Sequence, residues 1–235
     1  MRSSGKVHWY AMSEFAPVSI ETTNSPNTSA KHTGLRARIF PLLLAKANAR
    51  YERWIAARKR QLFSELRGRV LEIGPGVGVN LRYYAAGVHW IGIEPNPYMQ
   101  GPLLKEAGKR GLHVDLRTGI AERIELPDQS MDAVVSTLVL CSVEDMDRVL
   151  QEIQRILKPG GRYVFIEHVA APRGTWLRHL QRLVRPVLTF FAEGCHPDRE
   201  TWNEIATAGF RDVKIEHFRA PLPVVSPHIA GVAIR

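Results

Sequence analysis

From Arg69 onward, short apolar runs alternate with amphipathic stretches along the chain. RVLEIG (69–74), HWIGIEP (89–95), HVDLRT (113–118), MDAVVST (131–137) and GRYVFIEHV (161–169) read as five strands. Between them the pattern predicts a helix start from Gly78 to Tyr84 and a helix from Pro97 to Arg110. A further helix runs from Asp145 to Leu157, with Val149, Leu150, Ile153 and Ile156 on one face. Strand and helix in regular alternation imply a parallel sheet covered by helices on both faces. The nearly all-apolar centres of strands one, two, four and five suit central positions in it.

After Val169 the rhythm changes. TWLRHLQRLVRPVLTFF (175–191) places Trp176, Leu180, Leu183 or Val184, Val187 and Phe191 on one helical stripe, and Pro186 should bend or split that helix. Two readings stay open for it: a roof over a ligand crevice, lining an apolar pocket, or an ordinary packing helix. A helix from Asp198 to Ala208 follows. FRDVKIEHFRA (210–220) and HIAGVAIR (228–235), joined by PLPVVSP, then read as an antiparallel strand pair.

Ahead of the sheet, Pro41 to Leu66 is helical in pattern, as one helix or two, with Leu43, Ala47, Trp54, Ile55, Leu62 and Leu66 recurring at near-helical spacing. Its apolar face should pack on the main domain, with Arg50, Arg53 and Arg58 outward. Residues 1–33 are rich in Ser, Thr, Asn and Pro and read as a tail. The division expected is therefore a tail (1–33), a basic helical segment (34–67) and one domain (68–235), with no internal repeat.

Composition narrows the class. An apolar content of 45% and a charged content of 23% are ordinary for a soluble globular protein. No run of uncharged apolar residues is long enough to span a bilayer, and the N-terminus lacks an apolar signal core. Cys141 and Cys195 make no disulfide framework, which suits a cytoplasmic protein. The net charge is +9, and between Arg36 and Arg69 ten Arg or Lys residues face only Glu52 and Glu65. That segment reads either as a solvated helix face or as a surface for anionic membranes. Nucleic acid is not the expected partner, because no recognition module accompanies the charge. Oligomeric state is not written in the pattern.

The first candidate chemistry is LEIGPGVGVN (71–80), at the end of strand one. In open α/β sheets ligands sit at the carboxyl ends of strands. Dinucleotide turns use G-x-G-x-x-G; here Gly74, Gly76 and Gly78 are spaced by single residues and Val79 follows. Glu72, two positions before the first glycine, suits a cationic or amine-bearing ligand better than a pyrophosphate. Glu94, ending strand two, can accept both hydroxyls of a ribose, a feature shared with NAD proteins.

Together these residues resemble the class I S-adenosylmethionine-dependent methyltransferases. MDAVVSTLVLCSVED (131–145), LKPGGRYVFIEH (157–168) and the terminal strand pair agree with that resemblance. It implies a seven-stranded Rossmann-like α/β sheet, mostly parallel, with a C-terminal antiparallel hairpin. RKRQLFSEL (58–66), TLVLCSV (137–143), EHVAAP, EGCHPDRETW (193–202) and RAPLPVVSPHIAGVAIR (219–235) resemble, more narrowly, the methyltransferase-like thiol S-methyltransferases. In animals that family sits on membranes through an apolar N-terminal segment. This chain departs from it, with a polar N-terminus and only IFPLLLA (39–45) as an apolar patch.

The resemblance implies S-adenosylmethionine as cofactor and assigns its contacts. Gly74, Gly76 and Gly78, with Pro75 and Asn80 in the same turn, would wrap the methionine part, and Glu72 would face its amino group. Glu94 would hold the ribose, and Pro95 and Asn96 would border the adenine. Ile120, Ala121 and Glu122 match the loop closing on the adenine, although the family often has Asp where this chain has Ile120. Thr137 and Leu138 would lie beside the sulfonium and the acceptor.

A methyl group on a sulfonium is already activated, so the protein mainly aligns donor and acceptor. His168, ending strand five, is the candidate base or acceptor-positioning group, with Glu167 as the alternative because adjacent strand residues face opposite ways. Cys195 and His196 form a weaker pair. Cys141 reads as a core cysteine, and no metal site is expected, since Cys195 and His196 lack a partner pair at ligand spacing. The function expected is methylation of a small, apolar acceptor, with a thiol favoured over a lipid, quinone or phenol. An NAD-dependent oxidoreductase and a non-catalytic cofactor-binding or membrane-surface module are the competing classes.

Overall fold

The structure, a computed structural model, describes the backbone of residues 34–235, with side chains described for all of these except 34–36 and 39–49. The expected tail (1–33) and the side chains of the 39–45 patch lie outside the described residues, as do those of Leu43 and Ala47.

Seven strands form one sheet: β1 (Arg69–Ile73), β2 (His89–Ile93), β3 (Val114–Arg117), β4 (Met131–Thr137), β5 (Leu157–His168), β6 (Asp212–Arg219) and β7 (Pro227–Ile234). Their order is β3-β2-β1-β4-β5-β7-β6. β3 to β5 pair in parallel, while β7 runs antiparallel to both β5 and β6. The chain steps outward from β1 through β2 to β3, then returns to place β4 on the other side of β1. This reversal opens a crevice at the carboxyl ends of β1 and β4.

Successive strand residues point to opposite faces, and each face has its own helices. On one face Leu71, Ile73, Ile91, Val134, Tyr163 and Phe165 pack against α3 (Met146–Ile156) and Ile205 of α5 (Thr201–Thr207). On the other, Val70, Ala133, Val135, Val164 and Ile166 meet Tyr51, Ile55 and Phe63 of α1 (Gly34–Phe63). Trp90, Val114 and Leu116 meet Leu103 and Ala107 of α2 (Pro97–Lys109) on that same side. Helix starts follow local chemistry: the side chains of Asn96, Asp145 and Thr175 accept the N–H groups of Tyr98, Arg148 and Arg178.

Two local expectations change. The helix expected from Gly78 to Tyr84 is a single 3-10 turn, Leu81–Tyr83, because the chain must already return through Gly87 to begin β2 at His89. Helix α4 (Trp176–Phe191) runs continuously through Pro186. Pro186 and Arg182 are both exposed, so the carbonyl that loses its helical N–H partner lies where water serves it. α1 is one helix, and Arg50 and Arg53 are exposed on it as expected. Arg58 is instead half-buried, 4.0 Å over the Phe218 ring and paired with Glu216.

Candidate active site

At the crevice lies a cavity of about 530 Å³, walled by the turn after β1, the end of β2, the loop 119–122 and the segment after β4. The turn is tightly laced. The Gly74 N–H donates to the Ile93 carbonyl at 2.9 Å and the Gly78 N–H to the Pro75 carbonyl at 3.0 Å. The Glu94 carboxylate accepts the N–H groups of Gly76 and Asn96, each at 2.9 Å. One carboxylate therefore joins the first and second strand ends, at the wall of the cavity.

Of the residues expected to hold a cofactor, Gly74, Pro75, Gly76, Asn80, Glu94, Pro95, Ile120, Ala121, Glu122, Thr137 and Leu138 all line the cavity. Three do not. Glu72 is buried beneath the turn, its oxygens taken by Asn80 Nδ2 (2.7 Å), Tyr84 Oη (2.9 Å) and Trp90 Nε1 (3.0 Å). Burial pushes its carboxyl up, against the pull of those three donors. Glu72 thus supports the turn from below and does not line the cavity. Gly78 packs against α2: a Cβ there would meet Leu103 and Leu81 side-chain atoms at 3.1 Å. Asn96 is fully buried, capping α2 and donating to the Ala37 carbonyl (3.0 Å) and to Glu193 Oε1 (2.6 Å). It ties α1 and the end of α4 to the strand end.

Two residues of α1, Glu52 and Lys59, line the same cavity. Lys59 is fully buried and its Nζ donates to Glu52 Oε1 at 2.6 Å. Burial pushes the Lys59 ammonium down, opposed by Glu52. Among the described residues Glu52 Oε2 has no partner, and neither does Asn80 Oδ1. The cavity wall thus carries two buried acceptors without donors, a demand that an ammonium group satisfies. Lys59 was legible only as one more charge in a basic run. Its burial depends on α1 lying across the crevice, which no local spacing encodes.

The two candidate catalytic residues sit behind the cavity wall. Glu167 Oε2 accepts the N–H groups of Val139 (2.9 Å) and Leu140 (3.1 Å), and Oε1 accepts the Ser136 hydroxyl at 2.7 Å. Burial pushes its carboxyl up to about 8. Leu138 sits at φ 58, a conformation rare outside glycine, and Glu167 braces the residues that follow it. His168 is buried too, with Nε2 3.3 Å from Cys195 Sγ and Nδ1 without a partner among the described residues. Neither residue lines the cavity.

The apolar stripe of α4 is neither roof nor core. Trp176 (73% exposed), Leu183 (77%) and Phe191 (64%) face outward, as do Val187 and Phe190. Only the end of this helix, through Ala192 and Glu193, reaches the cavity.

A methyltransferase domain model matches residues 71–165, the stretch that builds this crevice. Human thiol S-methyltransferase TMT1A is 36% identical over 210 residues, covering 83% of this chain and 86% of that protein. Thiol S-methyltransferase TMT1B of Rattus norvegicus is 40% identical over the same shares. The chain belongs to the thiol S-methyltransferase family of class I S-adenosylmethionine-dependent methyltransferases. Among solved structures, Haemonchus contortus phosphoethanolamine N-methyltransferase 2 in complex with S-adenosyl-L-methionine shares the fold, with TM-score 0.56 at 21% identity over 70% of this chain and 38% of that one. As a methyltransferase the chain needs a donor pocket, and its donor set fits the family's cofactor. There are unpartnered acceptors for an ammonium, a carboxylate at the second strand end for a ribose, and Ile93, Met99 and Ile120 as apolar wall for a base.

Proposed function

We propose that this enzyme transfers a methyl group from S-adenosylmethionine to the sulfur of a small thiol. The observation that carries the donor half is the pair of buried, unpartnered acceptors, Glu52 Oε2 and Asn80 Oδ1, beside the Gly74–Gly76 turn. In this reading they receive the ammonium of the cofactor, Lys59 pairs with its carboxylate, Glu94 with the ribose hydroxyls, and Ile93, Met99 and Ile120 pack on the adenine. When bound, the cofactor supplies an electrophilic methyl group on a cationic sulfur. The relatives named thiol S-methyltransferases, 36–40% identical over 83% of the chain, support the acceptor half.

The protein's own part is alignment and exclusion of water. Glu167 holds the Val139–Leu140 backbone so that Thr137 and Leu138 keep their place at the cavity wall. A thiol is partly ionised near neutral pH and the thiolate is strongly nucleophilic, so the chemistry requires no dedicated base. His168, lying outside the cavity, is assigned no proton transfer. The test is turnover of a panel of alkyl thiols, phenols and lipid headgroups. Thioether product from thiols is expected; methylation of phenols or headgroups with none of thiols overturns the reading.

The exposed stripe of α4 supports work at an anionic membrane surface. That helix has no acidic residue and exposes Arg182 and Arg185, Arg178 being buried against Glu200, beside its exposed Trp, Leu, Val and Phe side chains, which suits an amphipathic helix lying in the bilayer interface. Among the described residues no helix is long and apolar enough to cross a membrane. Co-sedimentation with phosphatidylserine-containing vesicles should exceed that with neutral ones, and Leu183→Glu with Phe191→Glu should reduce it. Equal partitioning to both vesicle types rules out electrostatic docking.

A further inference from the structure

Cys141 follows β4, His168 ends β5 and Cys195 follows α4, yet their side chains meet. We propose that these three residues form a binding site for a single zinc ion. Both sulfurs and a ring nitrogen of His168 lie within 4.8 Å of one another, and Cys195 Sγ is 3.3 Å from His168 Nε2. Zinc bonds of about 2.3 Å to sulfur and 2.0–2.1 Å to nitrogen, at tetrahedral angles, hold ligand atoms roughly 3.5–4 Å apart. The ion therefore enters with side-chain adjustment alone. Two thiolates and an imidazole are a zinc donor set, and two thiolate charges neutralise the cation, so a buried site carries no net charge.

The backbone around the cluster is already braced. The His196 N–H donates to the Cys141 carbonyl at 2.8 Å. Arg199 Nη1 donates to the Leu140 and Val143 carbonyls at 2.6 and 2.9 Å. The Ala170 N–H donates to the Arg199 carbonyl at 2.9 Å. These bonds hold the segment after α4 against the loop after β4 whatever the side chains do, and a rigid frame lowers the cost of assembling ligands. By itself the cluster is held by weak sulfur contacts: all three residues are buried and His168 Nε2 lies 3.3 Å from the Cys195 sulfur. Among the described residues Cys141 Sγ has only the Leu138 carbonyl at 3.7 Å and Ser142 Oγ at 3.5 Å besides the cluster. Coordination replaces those weak contacts. Three protein ligands leave one tetrahedral position for a fourth ligand.

The site lies one layer behind the cavity. Val139, Ser142 and Val143, flanking Cys141, line the cavity, as do Ala192 and Glu193 just before Cys195. Zinc would therefore pin the α4 end to the sheet and fix that wall. Each ligand lies 27 positions from the next in sequence, so no short motif marks them.

The test uses the full chain, reduced, loaded with Zn²⁺ and freed of excess metal. Elemental analysis should find one zinc per chain, and Co²⁺ in its place should show thiolate-to-cobalt charge transfer and tetrahedral d–d bands. Cys141→Ser, Cys195→Ser and His168→Gln should each weaken zinc binding by tenfold or more, while His113→Ala, an exposed histidine elsewhere, should not. Zinc at background level in the reduced wild type overturns the proposal without recourse to any variant. So does a cobalt spectrum lacking charge transfer, or zinc retained undiminished by folded Cys195→Ser. A Cys141–Cys195 disulfide whose reduction restores no zinc binding also overturns it.

Discussion

Glu94 accepts the backbone N–H of Gly76 at 2.9 Å, across the gap between the ends of β2 and β1. The same carboxylate accepts the Asn96 N–H, so it shapes the pocket as well as presenting an acceptor to it. Charged hydrogen bonds of this kind contribute about 1.5–3 kcal/mol each. Glu94→Ala removes them and any bond to a ribose, and affinity for S-adenosylhomocysteine should fall by about 10–100-fold, measured by calorimetry. Glu94→Gln keeps the shape and should retain more. Wild-type affinity in Glu94→Ala would place the ribose elsewhere.

Gly74 is constrained twice. Its φ is 59, and an added Cβ would stand 2.7 Å from Val139 Cγ2. Gly111 has φ 62 with nothing near a Cβ. Gly111→Ala should therefore cost only the left-handed backbone penalty, about 1–2 kcal/mol. Gly74→Ala should cost more and also lower cofactor affinity. Adding Val139→Ala should recover the steric part and leave the backbone part. Urea unfolding of the four proteins checks this; equal losses for both glycine variants would show that Val139 moves aside freely.

The fold was largely legible because two periods alternate cleanly. Val70, Ala133 and Val135 on one face and Leu71, Ile73 and Val134 on the other are each apolar, as a sheet buried on both sides demands. The cavity lining was legible wherever a backbone turn or a strand end had to face the crevice, as at Gly74, Glu94 and Thr137. Direction was harder. Glu72 lies one residue before the end of β1 and Glu94 one residue past the end of β2, and the indole and phenol of Trp90 and Tyr84 hold Glu72 beneath the turn. The meeting of Cys141, His168 and Cys195 depends on how two loops fold back on β5, and no spacing in the chain reports it. The α4 stripe shows the limit of periodicity, which marks an apolar face without saying what covers it.

The Glu52–Lys59 pair separates binding from stability. Lys59→Met leaves the buried Glu52 carboxylate without its counter-ion and should cost about 3–5 kcal/mol. Glu52→Gln keeps the volume and leaves Lys59 Nζ a neutral acceptor, at its own cost in stability, and removes the charge assigned to the cofactor's ammonium. It should weaken S-adenosylhomocysteine by about tenfold but leave methylthioadenosine, which lacks the amino-acid end, nearly unaffected. Parallel calorimetry with the two ligands decides it: equal weakening of both would mean that Glu52 acts on the pocket as a whole and not on the ammonium.

Glu152 offers a test by acid. Its Oε2 accepts the Ile124 N–H at 2.8 Å, and Arg155 bridges both its oxygens, at 2.9 Å each, while donating to the Ile124 and Leu126 carbonyls. The pair therefore pins the loop whose Ala121 and Glu122 line the cavity. Burial alone would raise the Glu152 carboxyl, but Arg155, the Ile124 N–H and Arg148 outweigh it and hold it below its usual value of 4.5. A carboxyl lowered in the folded state binds its proton more readily when unfolded. Its stabilisation is complete above pH 4.5 and is lost as pH falls through the lower folded-state value. Glu152→Gln should cost about 1–3 kcal/mol at pH 7. The gap from wild type should then narrow as pH drops below 4.5, because the wild-type carboxyl takes up the proton that neutralises it. Urea unfolding of both proteins across that range reads the difference directly. A gap that stays constant into acid would mean that the Glu152 charge contributes nothing to holding the loop.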